Sequence, residues 1–289
     1  MTKPYEDHYY KSEDGLTLYA RDYQHPSPKL TVLCLHGFAR NARDFDVLAA
    51  ALQKDYRVIV ADQRGRGFSE YDTNTENYNP LHYTNDMFKL LDTLSIDKVV
   101  VIGTSMGGWI AMAMATMRSE LVKGIVLNDL GPTLEASGLQ EIVEYFATVR
   151  EINTWDDATT YCKSVAGDTF PTFTEEDWQR FVRKGFEENE HGKVVRLYDL
   201  GIADVYKDFD AHKTPLDLWP VFNGAKSSKL MVIRGALSRL LSKEVFEDVK
   251  NFDNVISRFE VPDVGHAPLL EDEPTINAIR DFLQKIESE

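Results

Sequence analysis

The chain has 289 residues, 43% of them hydrophobic, and carries a formal net charge of −15 at pH 7. This length and hydrophobic content are enough to bury the core of one large α/β domain, which excludes an intrinsically disordered protein. The acidic charge repels phosphate backbones and acidic lipid surfaces, so we expect no nucleic-acid partner and no membrane partner.

The N-terminal region and the cysteines indicate the cellular compartment. Residues 1–10 contain charges and tyrosines but no apolar signal core, and no later apolar run is long enough to span a bilayer. Cys34 lies in a predicted core strand and Cys162 in a predicted helix, and two cysteines form no disulfide framework. We therefore expect a cytoplasmic protein with two buried thiols.

In chain order, apolar runs alternate with helical patterns. A turn at Asp14 and Gly15 predicts a hairpin ahead of the main fold, with strands at 9–11 and 16–22. Buried strands are then predicted at residues 30–35, 58–61, 99–102, 124–128, 229–233 and 255–261. Helices are predicted at residues 42–53, 81–94, from 106 onward, 243–249 and 275–286. This alternation predicts an α/β fold whose mostly parallel central sheet is flanked by helices.

One region interrupts the alternation. Residues 131 to 222 have no strand pattern, and aromatic-rich helical patterns are found at residues 139–150, 155–164 and 175–186. We predict a core domain made of residues 1–131 and 223–289, with a helical cap inserted at 132–222. Because sheet enzymes place their sites beyond the carboxyl ends of the strands, such a cap would cover the pocket. The alternative is a packed accessory bundle.

The segment Gly-Thr-Ser-Met-Gly at 103–107 joins a β-branched strand to an apolar helix. A tight strand-to-helix turn presents the serine Oγ beyond the sheet edge, so Ser105 is the candidate nucleophile. Side chains at Gly103 and Gly107 would collide with neighbouring backbone. The helix that begins near Met106 directs free N–H groups towards developing negative charge.

Four motifs occur in order along the chain. They are His36-Gly37-Phe38, the loop from Asp62 to Ser69, the serine turn, and Val264-Gly265-His266. Together they resemble the α/β-hydrolase superfamily of esterases, lipases and carbon–carbon-bond hydrolases, and the resemblance extends over nearly the whole chain. It implies the α/β-hydrolase fold with an inserted helical cap.

The resemblance also implies roles for particular residues. The family's chain order of serine, acid and histidine makes His266 the general base for Ser105. The loop at His36 resembles the family's oxyanion loop, which implies an oxyanion hole made of the backbone N–H groups of Phe38 and Met106. His36 itself is expected to support that backbone and not to transfer protons.

The third member of the triad departs from the family pattern. No carboxylate is present at 234–242, and Arg239 stands where an aspartate is expected. A guanidinium has only donors and cannot accept the imidazole N–H. Asp129 is the leading substitute, because some hydrolases of this fold take their acid from that strand; its alternative role is to cap a turn. Asp263 and Glu244 are less suitable, since the first is expected to point along its loop and the second lies one helical segment late.

These features predict a serine hydrolase, a carboxylesterase that cleaves a small-molecule ester through an acyl-enzyme. The alternatives are a carbon–carbon-bond hydrolase of a diketone or ring-cleavage product, which would need cationic cap residues for a distal acid, a non-catalytic small-molecule receptor or scaffold, and acyl transfer to another acceptor. Gly65-Arg66-Gly67 lacks the third glycine of a dinucleotide fingerprint, and no metal cluster is present in the sequence pattern, so we expect no cofactor and no metal. The sequence leaves open the substrate and whether the chain forms a homo-oligomer.

Overall fold

A computed structural model describes residues 3–147, 150–206, 210, 213 and 216–288. Its ten strands, within these residues, are β1 (Glu6–Lys11), β2 (Thr17–Tyr23), β3 (Thr31–Leu35), β4 (Arg57–Asp62), β5 (Val99–Thr104), β6 (Val122–Asn128), β7 (Phe186–Glu188), β8 (Val194–Arg196), β9 (Lys229–Gly235) and β10 (Val255–Val261). The α-helices in the same ranges are α1 (Asp46–Leu52), α2 (Pro80–Thr93), α3 (Met106–Met117), α4 (Ala136–Ala147), α5 (Trp155–Ala166), α6 (Glu175–Gly185), α7 (Trp219–Gly224), α8 (Lys243–Asp248) and α9 (Glu273–Glu287).

Eight of the described strands form one sheet, in the order β1-β2-β4-β3-β5-β6-β9-β10. Strands from β4 to β10 in this order pair in parallel, while β2 is antiparallel to both β1 and β4. The mostly parallel sheet expected from the alternation is thus confirmed. The predicted N-terminal hairpin is confirmed, and β2 also pairs with β4, with Tyr19 opposite Asp62, so that the hairpin extends the same sheet.

Helices cover both faces of the sheet, because alternate side chains of each buried strand point to opposite sides. On β3, Leu33 and Leu35 join the core with α2, α3 and α7, whereas Val32 and Cys34 join the core with α1 and α9. Burial raises the pKa of the Cys34 thiol, and it raises the pKa of Cys162 to about 11. Both cysteines are buried and free, as expected.

Residues 132–222 lie between β6 and β9 and are called the insertion below. The insertion contains α4, α5 and α6, and α5 begins with a capping box between Thr154 and Asp157. The expectation that it has no strand is wrong, because β7 and β8 pair as an antiparallel hairpin. Each strand has only three residues, too few for a period-two pattern to be recognised. The predicted boundary at 222/223 falls inside α7, and residues 148 and 149 of the predicted helix 139–150 lie outside the described residues.

The insertion contacts loops that follow the sheet strands. Asn41, after β3, donates its side-chain N–H to the Lys184 carbonyl in α6 over 2.8 Å. Gly265, after β10, donates its N–H to the Thr169 carbonyl, also over 2.8 Å. The insertion therefore packs at the edge where the parallel strands end. Within the described ranges, no helix has both the length and the apolar character needed to cross a membrane.

Candidate active site

Ser105 lies at the junction of β5 and α3 in a strained backbone conformation. Its φ of 52° is in a region that residues other than glycine rarely adopt. The conformation is held from both sides: the Ser105 N–H donates to the Asn128 carbonyl over 3.0 Å, and the Ser105 carbonyl accepts from the N–H of Gly108 at 2.8 Å. The sharp turn directs the side chain away from the sheet edge, as a nucleophile requires.

Two glycines allow this turn because backbone passes directly beside them. A Cβ atom on Gly103 would overlap the carbonyl of Gly107, and a Cβ on Gly107 would overlap the carbonyl of Leu35 in β3. Both obstacles are main-chain atoms, which cannot rotate away as a side chain can. The predicted collision with neighbouring backbone is confirmed.

His266 lies in the loop after β10, within hydrogen-bond distance of the serine and of one carboxylate. Its Nε2 is 2.9 Å from Ser105 Oγ, and its Nδ1 is 2.7 Å from Asp129 Oδ2. The histidine side chain keeps 19% of its surface exposed, whereas that of Asp129 is fully buried. The three side chains thus form a continuous hydrogen-bonded chain across the ends of β5, β6 and β10.

Asp129 follows β6 and is held by partners that are distant in the sequence. Its Oδ1 accepts the Gly235 N–H over 2.9 Å, and its Oδ2 accepts the Ser238 hydroxyl over 2.6 Å as well as His266. The alternative of a local turn cap accounts for none of these side-chain contacts. The carboxylate is oriented towards the imidazole by the loop after β9.

The other candidates for the acid lie elsewhere. Asp263 and Glu244 are exposed. Arg239, which stands where an aspartate was expected, is 63% exposed and forms an ion pair with Glu141 in α4. Its guanidinium is therefore directed at the insertion and pairs with a carboxylate there.

Two buried polar residues at the strand ends were missed by the sequence analysis. The first is Ser238, already noted as a donor to Asp129. The second is Asn128, whose Nδ2 donates to Thr104 Oγ1 at 3.0 Å and to the Pro268 carbonyl at 2.8 Å. The available signal was their polarity: each stands at or just after the end of a buried apolar strand, where a polar side chain must find a partner.

His36 occupies the loop after β3 and is completely buried. Its Nδ1–H donates to the Gly37 carbonyl over 2.7 Å, and its Nε2 accepts the Gln63 N–H over 3.0 Å. Burial lowers the pKa of His36 to about 4, so the ring is neutral at pH 7. The Gly37 carbonyl and the Phe38 N–H belong to one planar peptide group, and His36 therefore fixes the direction of that N–H. These contacts match the expected supporting role.

The end of β4 and the loop after it contact the segment that contains Phe38. Asp62 is buried and accepts the N–H groups of Ala42 and Phe68, at 2.6 and 2.9 Å. Burial raises the pKa of Asp62 to about 6. Arg66 donates from Nε to the Phe38 carbonyl over 2.9 Å. The loop thus braces both ends of the segment that contains Phe38.

A cavity of about 240 Å³ opens beside the serine. Its described lining residues are uncharged and mostly apolar: Phe38, Pro80, Tyr83, Ser105, Met106, Trp109, Leu130, Leu134, Leu139, Ile142, Val143, Leu216, Leu218 and Leu240. Phe38, Ser105, Met106 and Trp109 come from the core, whereas Leu139, Ile142 and Val143 come from α4. Both residues predicted for the oxyanion hole, Phe38 and Met106, border this cavity together with Ser105.

Comparisons with known proteins give consistent results. A family described as alpha/beta hydrolase fold matches residues 31–273. The chain is 32% identical over 263 residues to a 3-hydroxybutyrate-oligomer hydrolase of Cupriavidus necator, covering 89% of both chains. It superposes with a TM-score of 0.90 on an alpha/beta hydrolase from Novosphingobium aromaticivorans, at 33% identity and covering 99% of this chain and 100% of that one.

A more distant solved structure shares the fold alone. It is an E-2-(acetamidomethylene)succinate hydrolase, with a TM-score of 0.79 at 21% identity, covering 97% of this chain and 99% of that one. Hydrolases named for different substrates are therefore found among the similar proteins.

Proposed function

The chain belongs to the alpha/beta hydrolase fold family, and from this premise we propose that it is a serine hydrolase that cleaves carboxylic esters through an acyl-enzyme. The observation that carries the proposal is the hydrogen-bonded chain from Ser105 Oγ through His266 to Asp129, at 2.9 and 2.7 Å. A hydroxyl needs such a base to become a nucleophile at neutral pH, and the base needs an acceptor for its second N–H.

The proposed reaction proceeds in two halves. His266 Nε2 takes the Ser105 proton while Oγ bonds to the ester carbonyl carbon, and Asp129 stabilises the imidazolium. The N–H groups of Phe38 and Met106 stabilise the oxyanion. When the tetrahedral intermediate collapses, the carbon–oxygen bond to the alcohol breaks and His266 gives its proton to the leaving oxygen. Water then attacks the acyl-enzyme with the same base, releasing the acid.

The cavity supports an uncharged, apolar group next to the scissile ester. No described lining residue is a lysine, arginine or histidine, so a distal carboxylate would lose its hydration without gaining a partner. The relative from Cupriavidus necator is named for 3-hydroxybutyrate oligomers, whose units are joined by carboxylic esters. We propose short apolar acyl or hydroxyacyl esters as substrates, bound under a cap formed by residues 132–222.

The alternatives are less well supported by the same cavity. A carbon–carbon-bond hydrolase needs cationic residues for the distal acid of its substrate, and the described lining has none. A receptor would not need a strained serine within hydrogen-bond distance of a histidine that contacts a buried carboxylate. Hydrolysis of an ester therefore remains the proposal that uses most of the observed geometry.

The proposal is tested by hydrolysis of p-nitrophenyl esters of increasing acyl length, with 3-hydroxybutyrate dimer as an uncoloured substrate followed by acid release. We expect wild-type turnover with a burst of nitrophenol, and loss of at least about 10³-fold in Ser105→Ala. Ser95→Ala is the matched control, because exposed Ser95 also has a positive φ, 54°, and lies outside the site. Binding without turnover would favour a receptor, and cleavage of a β-diketone but no ester would favour the carbon–carbon alternative.

A further inference from the structure

Ser238 lies in the loop between β9 and α8 and contacts the buried carboxylate of the site. Its side chain is almost fully buried, and its Oγ is 2.6 Å from Asp129 Oδ2. The contact joins residues that are 109 positions apart in the chain. The Ser238 hydroxyl is not one of the three groups in the chain from Ser105 through His266 to Asp129, so its contact with the carboxylate needs a separate explanation.

The direction of this hydrogen bond follows from counting donors and acceptors. A serine hydroxyl has one proton and two lone pairs. Ser238 Oγ accepts the backbone N–H of Leu240 at 3.2 Å and that of Leu241 at 3.1 Å, which occupies both lone pairs. The proton is thus left for Asp129, which as a carboxylate can only accept. Two N–H groups polarise the hydroxyl towards the carboxylate.

The carboxylate is consequently fixed at both oxygens. Gly235 N–H holds Oδ1, and Ser238 holds Oδ2 on one side while His266 Nδ1 approaches the same oxygen on the other. Without Ser238, Oδ2 would keep only the histidine and Oδ1 only Gly235, so one of the three hydrogen bonds that restrict the broad terminal torsion of the aspartate would be lost. A displacement of the acid changes the orientation of the imidazole at the serine.

We propose that Ser238 is a positioning residue for the hydrolysis, one that holds Asp129 towards His266 and shares the negative charge of Oδ2. The inference rests on the proposed function of the site. Ser238 also supplies, as a neutral hydroxyl, a polar partner in the loop where the family pattern has its carboxylate, while the neighbouring Arg239 is directed to α4.

The test compares Ser238→Ala with Ser238→Thr, which keeps the hydroxyl, and with Ser242→Ala. Ser242, four residues after Ser238, is the matched control. Its hydroxyl caps α8 by accepting the Val245 N–H. We expect Ser238→Ala to lower kcat by about 10- to 100-fold with KM changed by less than about 3-fold. In Ser238→Ala no hydroxyl shares the negative charge of Asp129 Oδ2, so the carboxylate stabilises the imidazolium more strongly. The acid limb of the kcat/KM profile should therefore move to higher pH. Ser238→Thr should recover most of kcat, and Ser242→Ala should keep the wild-type profile.

A proton NMR measurement separates this inference from the proposed function. The His266 Nδ1 proton, bonded to Asp129, should give a downfield resonance that moves in Ser238→Ala but not in Ser242→Ala. A moved resonance in a protein without esterase activity would support Ser238 and overturn the proposed function. An active enzyme in which Ser238→Ala leaves kcat, pH profile and resonance unchanged would overturn the positioning role and leave the function standing. An equal loss of kcat in Ser238→Ala and Ser242→Ala would also overturn it, because it would indicate general damage to the loop.

Discussion

The strand-end loops and the insertion meet at the same cavity but are held in different ways. Ser105, Asp129 and His266 follow three parallel strands, and they are fixed by backbone geometry and buried hydrogen bonds. On the opposite side, α4 packs through Leu139 against Leu240, and its ion pair with Arg239 is largely exposed.

The two regions meet different structural requirements. Atoms that exchange protons or form bonds must be held to within a fraction of an ångström, and main-chain contacts between neighbouring strands provide such precision. A wall that selects an acyl chain needs only suitable shape and polarity, for which apolar side chains on a helix are sufficient. Substitutions at the strand ends should therefore affect turnover and folding, whereas substitutions in the insertion should affect selectivity.

The largest expected effect is on turnover, at the strand ends. Asp129→Asn should lower kcat by about 10³- to 10⁴-fold, because an amide that donates to the imidazole would select the wrong tautomer. KM should change little. Steady-state kinetics on one ester measures both. Asp263→Asn is the control in the exposed part of the histidine loop, and full turnover by Asp129→Asn would refute the assignment of the acid.

A matched pair of glycines compares folding in the two regions. A Cβ on Gly107 would overlap the Leu35 carbonyl inside the sheet, and a Cβ on Gly138 in α4 would overlap the Arg239 carbonyl. Gly107→Ala should lower the free energy of unfolding by more than about 3 kcal/mol, since no main-chain atom there can yield. Gly138→Ala should cost less, about 1 to 2 kcal/mol, because its overlap is also with main chain but is partly offset by the higher helix propensity of alanine. Urea unfolding distinguishes the two, and equal losses would contradict the comparison.

Two buried groups near the strand ends, His36 and Asp62, should change the stability of the protein in opposite directions as the pH falls. His36 has its pKa lowered from 6.5 to about 4, so its contribution to stability is present above pH 6.5 and is lost as the pH falls to 4. Asp62 has its pKa raised from 3.8 to about 6, so its contribution is present below pH 3.8 and is lost as the pH rises to 6. Each amounts to about 3 kcal/mol, and in the wild type they largely cancel between pH 4 and 6.

Asp62→Asn removes one of the two opposed contributions. The variant should lose about 3 kcal/mol more than the wild type between pH 7 and pH 4, whereas His36→Gln should show the opposite trend. Denaturant unfolding at the two pH values measures the difference, and any constant cost of either substitution drops out. Parallel pH dependence in Asp62→Asn and the wild type would refute the cancellation.

The smallest effect is expected in the insertion. Leu139→Ala should enlarge the cavity and shift the preferred acyl chain to greater length, with kcat/KM for the favoured ester changed by about 3- to 10-fold. Arg239→Ala should alter stability by less than about 1 kcal/mol, because its ion pair is exposed. The ester series and urea unfolding measure these changes, with exposed Leu81→Ala as the control for the loss of a leucine. A fall in kcat as large as that of Asp129→Asn would erase the distinction between the regions.

Much of the fold was predictable because its causes are local. Strands such as β5 are continuous β-branched runs, and the elbow at Ser105 is encoded by glycines two residues away on each side. The order of the motifs also indicated which loops contain His266 and Asp129, and the structure brings these side chains together. Their catalytic roles stay a prediction until the variants are measured.

Tertiary structure alone decided the partners of those residues. That Arg239 turns to Glu141, that β2 continues the main sheet, and that Ser238 reaches Asp129 depend on contacts between distant parts of the chain. Periodicity and backbone sterics act between neighbours in sequence, so the sequence by itself determined the elements and the nucleophile turn. Side-chain hydrogen bonds across 109 and 137 residues form only when strands have been placed side by side, and so the orientation of the acid was decided by the folded sheet.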